Sequence, residues 1–393
     1  MPQQAKTVSI SKRKVASILN EIYDTLVTLG DNIKASAYKR AVVALSGEGA
    51  DTVKLSDLEK VKGIGNSIYS KITEFAETGS IVYLNELKQT PQLVFSQVYG
   101  IGPKMAKMLV EEHKLTTIDD LKDNLSLFNE KQKLGIQYYD DIVKRIPRSE
   151  ISHFDSVLRG SIPKQLVYEI VGSYRRGAKD SGDIDVIISL NTEFLNEPDN
   201  EVLFNAMSAG EVAEYFQSVF KEYLEYLHGQ EVITEFLSLG NKKSLVIGKV
   251  PSYTSYRRID FLYTPPEEYG FALIYFTGSK DFNTAMRGYC LSLGLSLNEH
   301  GLTRVATKKM VDASGLTDEK RIFAYLNIEY VDPDKRIDGS VLRIIGDAAG
   351  AGDAAGAGDA VGAGDAGETV FKSVSKKDAD IVNHINMFMN DGI

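Results

Sequence analysis

Two aspartates one residue apart, Asp183 and Asp185, open an apolar run through Ile188. Just before them a small-residue turn, Gly172-Ser173-Tyr174-Arg175-Arg176-Gly177, ends an earlier apolar run from Leu166 to Val171. Side chains alternate along a strand, so Asp183 and Asp185 face one way, Ile184 and Val186 the other. Carboxylates held side by side repel, and a divalent cation is the usual remedy. The turn offers backbone N–H groups and the Ser173 hydroxyl to a phosphate, and Arg176 adds a fixed charge suited to its oxygens. An in-line displacement at phosphorus with two metals calls for a third carboxylate. Arg257-Arg258-Ile259-Asp260-Phe261-Leu262-Tyr263 supplies one, with Asp260 inward on a later strand. A lone D-x-D is more often a strand end or a turn. Joined to the Gly-Ser turn and the R-x-D, it points to nucleotidyl transfer.

The elements that position these groups follow from periodicity and turn chemistry. Strands alternating with helical segments, Glu211 to Tyr226 among them, predict an α+β sheet with helices against one face. A helix around 151–164 leads into the first strand, and Leu237 to Val250 reads as a hairpin that is scaffold only. Upstream, Val15, Ile18, Leu19, Ile22, Leu26 and Leu29 predict an amphipathic helix over 11–29, and Lys34 to Leu45 a second. Leu115 to Leu127 and Glu130 to Lys144 read as further helices, with Tyr138 and Tyr139 partly buried and Pro147 ending the run.

Two Gly-x-Gly hairpins stand between helices: Val61-Lys62-Gly63-Ile64-Gly65-Asn66 and Ser96-Gln97-Val98-Tyr99-Gly100-Ile101-Gly102-Pro103-Lys104. Such glycines let the backbone turn tightly, so that N–H groups face a phosphate or carbonyls face a monovalent cation. Pro103 suits the first turn of the following helix, and Lys104 and Lys107 would lie near a DNA backbone. Contacts of this type read no base sequence.

With 393 residues, 43% of them hydrophobic, the chain can form two or more domains. No run approaches the length of a membrane span and no charged-then-apolar leader opens it, so an intracellular protein with no membrane partner is expected. Cys290 is the single cysteine, which excludes an internal disulfide framework and a cysteine-based zinc site; it reads as a core residue between a helix and a strand. A net charge of −9 opposes DNA binding unless the cations are gathered. They cluster at Lys12-Arg13-Lys14, Lys34 to Arg40, Lys104 to Lys107, Arg175-Arg176 and Arg257-Arg258, which together predict a basic lane.

In these motifs the chain resembles the family X DNA polymerases of the polymerase β layout, from about residue 10 to about residue 338. The resemblance implies a multidomain α plus α+β protein. Residues 1–87 would be a helical lyase-like domain with the first helix-hairpin-helix, and 88–150 a DNA-binding subdomain with the second. Residues 151–265 would be a nucleotidyltransferase palm and 266–338 a subdomain that binds the nascent base pair. The implied substrates are gapped or nicked double-stranded DNA and a deoxynucleoside triphosphate, the protein a monomer in the nucleus or at a viral replication site. Asp183 and Asp185 would bind two Mg²⁺ ions, Mn²⁺ being the alternative; Asp260 would bind the catalytic one and take the primer 3′ hydroxyl proton. Arg258 would tether a carboxylate in the open enzyme. Gly172, Ser173, Arg176, Ser181 and Gly182 would hold the nucleotide phosphates. Tyr275, Phe276 and Gly278 would face the sugar, Asn283 the incoming base and Arg287 the template. Lys280 departs from the family's acidic residue beside the incoming base, and tighter nucleotide binding is expected of it.

In the first module, Lys71 matches the lysine that attacks a 5′ deoxyribose phosphate, and Lys34 and Tyr38 match two pocket partners. Ser67 and Tyr83 stand where further lysines are usual and Ile33 where a histidine is, so weak lyase activity, or a mere grip on the 5′ side of a gap, is expected. DNA contacts would come from Gly63, Ile64, Gly65, Gly100, Ile101, Gly102 and Lys104. Carbonyls of Val61, Ile64, Ser96, Val98 and Ile101 would bind K⁺ or Na⁺. Residues 339–393 lie outside the resemblance. Gly346 to Gly367 repeats a six-residue Gly-Asp-Ala-Ala-Gly-Ala unit, a flexible acidic linker by composition. It leads to Ser375–Asn390, where Ile381, Val382, Ile385, Phe388 and Met389 form one apolar stripe. Three readings stand for it: docking on a protein partner, docking on its own chain, or disorder. Two rivals stand beside the polymerase reading: a template-independent nucleotidyltransferase and a catalytically idle DNA-end-binding scaffold.

Overall fold

Val15, Leu19, Ile22 and Leu26 recur at helical spacing and are almost wholly buried, and they define the first helix of the chain. A computed structural model describes residues 8–45, 50–313 and 315–345. The chain divides into two units between Tyr139 and Asp140. The sequence-predicted linker and terminal apolar stripe, Gly346–Gly367 and Ser375–Asn390, lie outside the described residues.

In the first unit, β1 (Ser9–Ser11) pairs antiparallel with β2 (Thr52–Lys54) around α1 (Lys12–Thr28) and α2 (Asn32–Leu45). The Ser11 hydroxyl accepts from Lys14 N and caps α1. After the short α3 (Leu55–Leu58), Gly63 takes φ +108°, which favours glycine, and Ile64 N–H closes the hairpin on the Val61 carbonyl at 3.0 Å. α4 (Asn66–Thr78) ends at Gly79 in the left-handed conformation, and α5 (Val82–Lys88) follows. The second hairpin joins α6 (Pro91–Ser96) to α7 (Pro103–Glu111). Its Gly100 carbonyl accepts from Gln132 Nε2 at 2.8 Å, and a Cβ on Gly100 would meet Gln132 Cγ at 3.0 Å.

Helices beyond the second hairpin are shorter than predicted. Thr117 and Asp120 form a capping box that delays the start of α8 (Ile118–Asp123), and Asn124 leaves helical geometry. α9 (Glu130–Gln137) breaks at Tyr138, after which α10 (Tyr139–Ile142) adds a single turn. Tyr138 is buried and Tyr139 half-buried.

The second unit opens with β3 (Ile146–Pro147), α11 (Arg148–Ser161), β4 (Leu166–Ile170), α12 (Gly172–Arg175), β5 (Asp180–Ser181) and β6 (Ile184–Leu190). α13 (Thr192–Leu195), α14 (Pro198–Asn205) and α15 (Ala209–Gly229) then cross to β7 (Ile233–Leu239), β8 (Lys243–Lys249) and β9 (Tyr256–Tyr263). The sheet runs β4-β6-β9-β8-β7, antiparallel except for the parallel central pair β6–β9. Ile184, Val186, Ile188, Ile259 and Phe261 share a core with Phe154 and Leu158 of α11 and Phe216 and Phe220 of α15.

Helices cover more than the one predicted face. Ile187 and Leu262 point the other way and pack on Ala272 of α16 (Tyr269–Thr277). The cause is visible in β6, where only Asp185 and Ser189 interrupt an apolar run that suits burial on both faces. α17 (Lys280–Ser292), the hairpin β10–β11 (Leu295–Asn298, Gly301–Arg304) and α18 (Glu319–Tyr325) close a separate core. Cys290 belongs to it from inside α17, not from the link to β10, and burial pushes its thiol up to about 12.

Candidate active site

Parallel pairing of β6 and β9 sets Asp185 directly opposite Asp260. Asp183 stands just before the first residue of β6, and its charge acts on Asp185. Arg258, two residues before Asp260, reaches across: its Nη2 donates to Asp183 Oδ2, and its Nε lies 3.3 Å from Asp260 Oδ1. Burial, then repulsion from Asp183 and Asp260, pushes the Asp185 carboxyl up to about 7. Burial also raises Asp260, against the opposing charge of Arg258. Arg258 is itself raised because the three acids outweigh its own burial.

These donors are the hard oxygens that suit a divalent cation. Asp260 Oδ1 is buried without a hydrogen-bond partner, and Asp185 sits in a cradle that a Cβ on Gly172 would fill at 2.7 Å from Oδ2. The residues fit such an ion in type and register. As the acids stand, with Arg258 among them, no group of three His, Cys, Asp or Glu side chains among the described residues is arranged to hold a metal.

The turn from Gly172 to Gly177 is braced from within. Ser173 Oγ donates to Ser181 Oγ at 2.7 Å, and Gly172 holds φ +63°. Arg176 Nη1 donates to the Thr277 carbonyl, so it meets the Tyr275–Gly278 segment; burial lowers its pKa. A Cβ on Gly182 would lie 3.3 Å from Arg145 Nη1, and one on Gly278 3.3 Å from Arg176 Nη1. Tyr275 and Phe276 stand edge to face, centroids 5.0 Å apart. Asn283 Nδ2 donates to the Tyr275 carbonyl at 2.6 Å, and Asn283 Oδ1 is buried without a partner. Tyr275, Asn283 and Arg287 line one small cavity with Phe271, Ile274 and Met286. Lys280 is exposed as the first residue of α17.

Two arginines assigned to the basic lane belong elsewhere. Arg257 is buried and makes a two-pronged ion pair with Glu150, at 2.7 and 2.8 Å. Arg175 donates to Thr277 and to both carboxylate oxygens of Glu319, and Glu319 also accepts from the fully buried Arg336. Burial opposes the charge on Glu319, but the hydrogen bonds of Arg175 and Arg336 more than offset it and hold its pKa low. One residue near the acids escaped sequence reasoning. Lys243, in the hairpin read as scaffold, opposes the negative charge of Asp185 and Asp260; the adjacent pair Lys242-Lys243 at the hairpin turn was its signal.

In the first unit, Lys71 Nζ donates to the Ser67 carbonyl at 3.3 Å and its hydroxyl at 3.2 Å, and lies 4.8 Å from the Tyr83 ring centroid. Lys34 pairs with Asp31 at 2.8 Å. Tyr38 is buried, and burial with the nearby Tyr83 pushes its phenol up to about 12. Ile33 is 89% exposed, so its side chain packs little against the module. Gly63, Gly65, Gly102 and Lys104 are exposed at the hairpins, while Ile64 and Ile101 are buried and anchor them. The Val98 carbonyl, like that of Val61, already accepts a hydrogen bond, from Ile101 N–H at 3.0 Å.

Four family models match in chain order: "Helix-hairpin-helix domain" over residues 11–81, "Fingers domain of DNA polymerase lambda" over 93–143, "DNA polymerase beta palm" over 145–266 and "DNA polymerase beta thumb" over 272–337. The chain is 26% identical over 352 residues to DNA polymerase lambda of Rattus norvegicus, covering 85% of this chain and 57% of the relative. It is 26% identical over 357 residues to DNA polymerase lambda of Arabidopsis thaliana, covering 85% and 64%. The chain thus spans less than two thirds of the length of these relatives. No helix among the described residues is long and apolar enough to cross a membrane. With palm and thumb in sequence behind a helix-hairpin-helix module, and the acids in register across β6 and β9, the chain belongs to the family X DNA polymerases.

Proposed function

We propose that the protein is a template-directed DNA polymerase that fills short gaps during base excision repair, with 5′ deoxyribose phosphate lyase chemistry in its first module. The observation that carries the polymerase reading is the opposition of Asp185 and Asp260 with Asp183 beside them, all three coupled by charge. Asp183, Asp185 and Asp260 would hold two Mg²⁺ ions, or Mn²⁺, which when bound neutralise triphosphate charge and ease loss of the primer hydroxyl proton.

The chain's own residues do the rest. Asp260 is placed to accept the proton of the primer 3′ hydroxyl once Arg258 turns aside. Gly172, Ser173, Ser181, Gly182 and Arg176 orient the triphosphate. Tyr275, Phe276 and Gly278 face the sugar, and Asn283 and Arg287 test the minor-groove edge of the new pair, where correct pairs all present acceptors. Positioning and charge stabilisation carry such a reaction, not covalent chemistry. The hairpins at Gly63–Gly65 and Gly100–Gly102 grip DNA on either side of the gap, with Lys104 on the phosphates and K⁺ or Na⁺ on the carbonyls of Val61, Ile64, Ser96, Val98 and Ile101. The domain limits given above, a monomeric intracellular protein and a protein partner for the C-terminal stripe complete the proposal.

A one-nucleotide gap-filling assay, run with and without template and with Asp260→Ala as control, tests it. Templated extension lost in Asp260→Ala is expected. Extension without template would favour the terminal transferase, and extension that survives Asp260→Ala would remove the acids from the chemistry. DNA binding with no extension would leave an end-binding scaffold.

A further inference from the structure

Lys71 stands against an aromatic ring whose place is set by the fold. Tyr83 is the second residue of α5, and the start of that helix is pinned: Val82 N–H donates to Glu74 Oε1 of α4 at 2.8 Å. Ile81 and Leu84 on either side are buried in the core of the module, and Tyr83 packs partly buried against it. The Lys71 amine therefore meets three fixed acceptors: the Ser67 carbonyl, the Ser67 hydroxyl and the face of the Tyr83 ring. An aromatic face accepts an N–H as it accepts a cation. The same residue lies within electrostatic reach of Lys34 and Tyr38.

We propose that Tyr83 is the positioning residue for the Lys71 amine in imine chemistry at a 5′ deoxyribose phosphate end, which rests on the lyase reading above. Lysines hold this place in the modules that the chain resembles; here a neutral ring and a hydroxyl locate the nucleophile. In the reaction, the Lys71 nitrogen bonds to the sugar aldehyde carbon and the carbonyl oxygen leaves as water. The resulting C=N makes the adjacent C2′ hydrogen acidic. Loss of that proton forms the C2′=C3′ bond as the C3′–O electron pair leaves with the DNA phosphate, and water then hydrolyses the imine to free the amine. Tyr83 forms no bond and carries no proton in these steps; its contact is with the Lys71 amine. It restricts where the nitrogen sits at the first step, and a lysine side chain left to rotate loses that advantage.

The test is single-turnover borohydride trapping of the full chain on a 5′-incised abasic DNA end, with the rate followed against DNA concentration. Tyr83→Phe keeps the ring and is expected to trap within about twofold of wild type, whereas Tyr83→Leu slows the saturating rate on the order of tenfold at unchanged half-saturating DNA. Tyr83→Gln, a polar side chain without a ring, is expected to behave as Tyr83→Leu, and circular dichroism shows that each variant is folded. A wild-type rate in folded Tyr83→Leu or Tyr83→Gln, or a loss confined to half-saturation, overturns the proposal while leaving Lys71 chemistry intact. Wild-type protein that is not trapped, or trapping that survives Lys71→Ala, overturns the lyase reading and this inference with it.

Discussion

Asp185 faces Asp260 across two parallel strands, and burial, then the charges of Asp183 and Asp260, raise the carboxyl of Asp185. Its value near 7 lies above the ordinary 3.8. Between those two values the folded chain binds more protons than the unfolded one, so the contribution of this group to stability falls as pH rises through that window. Raising the pH from about 5 to about 8 should therefore lower the melting temperature more in wild type than in Asp185→Asn, and Mg²⁺ should reduce the wild-type loss. Parallel melting curves for the two proteins would contradict it.

Gly172 is the residue that lets the turn before β5 approach Asp185. Gly172→Ala places a Cβ at 2.7 Å from the carboxylate and a side chain at φ +63°. Displacing one acid by a fraction of an ångström is expected to lower the gap-filling rate on the order of a hundredfold, with the fold retained at a cost of about 1–3 kcal/mol. An activity within a few-fold of wild type would mean that the acids tolerate the shift.

Arg257 and Glu150 form a buried pair that either member alone cannot replace. Glu150→Ala strands a buried guanidinium and should destabilise the second unit by about 3–5 kcal/mol in urea unfolding. The double variant Glu150→Leu with Arg257→Met removes both charges and should recover most of that loss. If both proteins lose the same stability, packing is the cause instead of charge.

Glu319 responds to acid. Its folded pKa lies below the ordinary 4.5, because the arginine hydrogen bonds outweigh burial. The stability it brings is complete above the unfolded value and is lost as pH falls through the lowered folded value. Glu319→Gln should be less stable than wild type at neutral pH, and the gap should narrow on acidification below about pH 4.5. A constant gap across that range would assign the effect to shape.

Lys280 sits at the positive end of α17, where a cation is unfavourable. Lys280→Asp should raise the melting temperature slightly, by a gain of about 0.3–1 kcal/mol, while weakening nucleotide binding. Affinity measured by titration on gapped DNA decides it; an unchanged dissociation constant would detach Lys280 from the nucleotide.

The acid set was legible because strand alternation converts D-x-D and R-x-D directly into faces, and the order of the motifs left few folds to choose from. The fates of Arg175 and Arg257 were not. Each stands beside a site residue, so each reads as a cation facing a ligand, while its partner lies far along the chain at Glu319 or Glu150. Only packing brings these pairs together. The shortened α8 and α9 turn on hydrogen bonds from Thr117 and on the backbone at Tyr138, which periodicity does not register. The second covered face of the sheet was readable in the apolar run of β6, which only Asp185 and Ser189 interrupt.

The parallel join of β6 to β9 also bears on how the molecule comes into being. Hairpins such as β7–β8 close over a short loop, but three helices and two strands separate β6 from β9 along the chain. Such non-local pairing costs chain entropy before any contact rewards it, and it forms slowly. A nascent or partly refolded chain will therefore show much of its helix and hairpin content before the acids are assembled, so catalytic competence should lag behind the recovery of secondary structure.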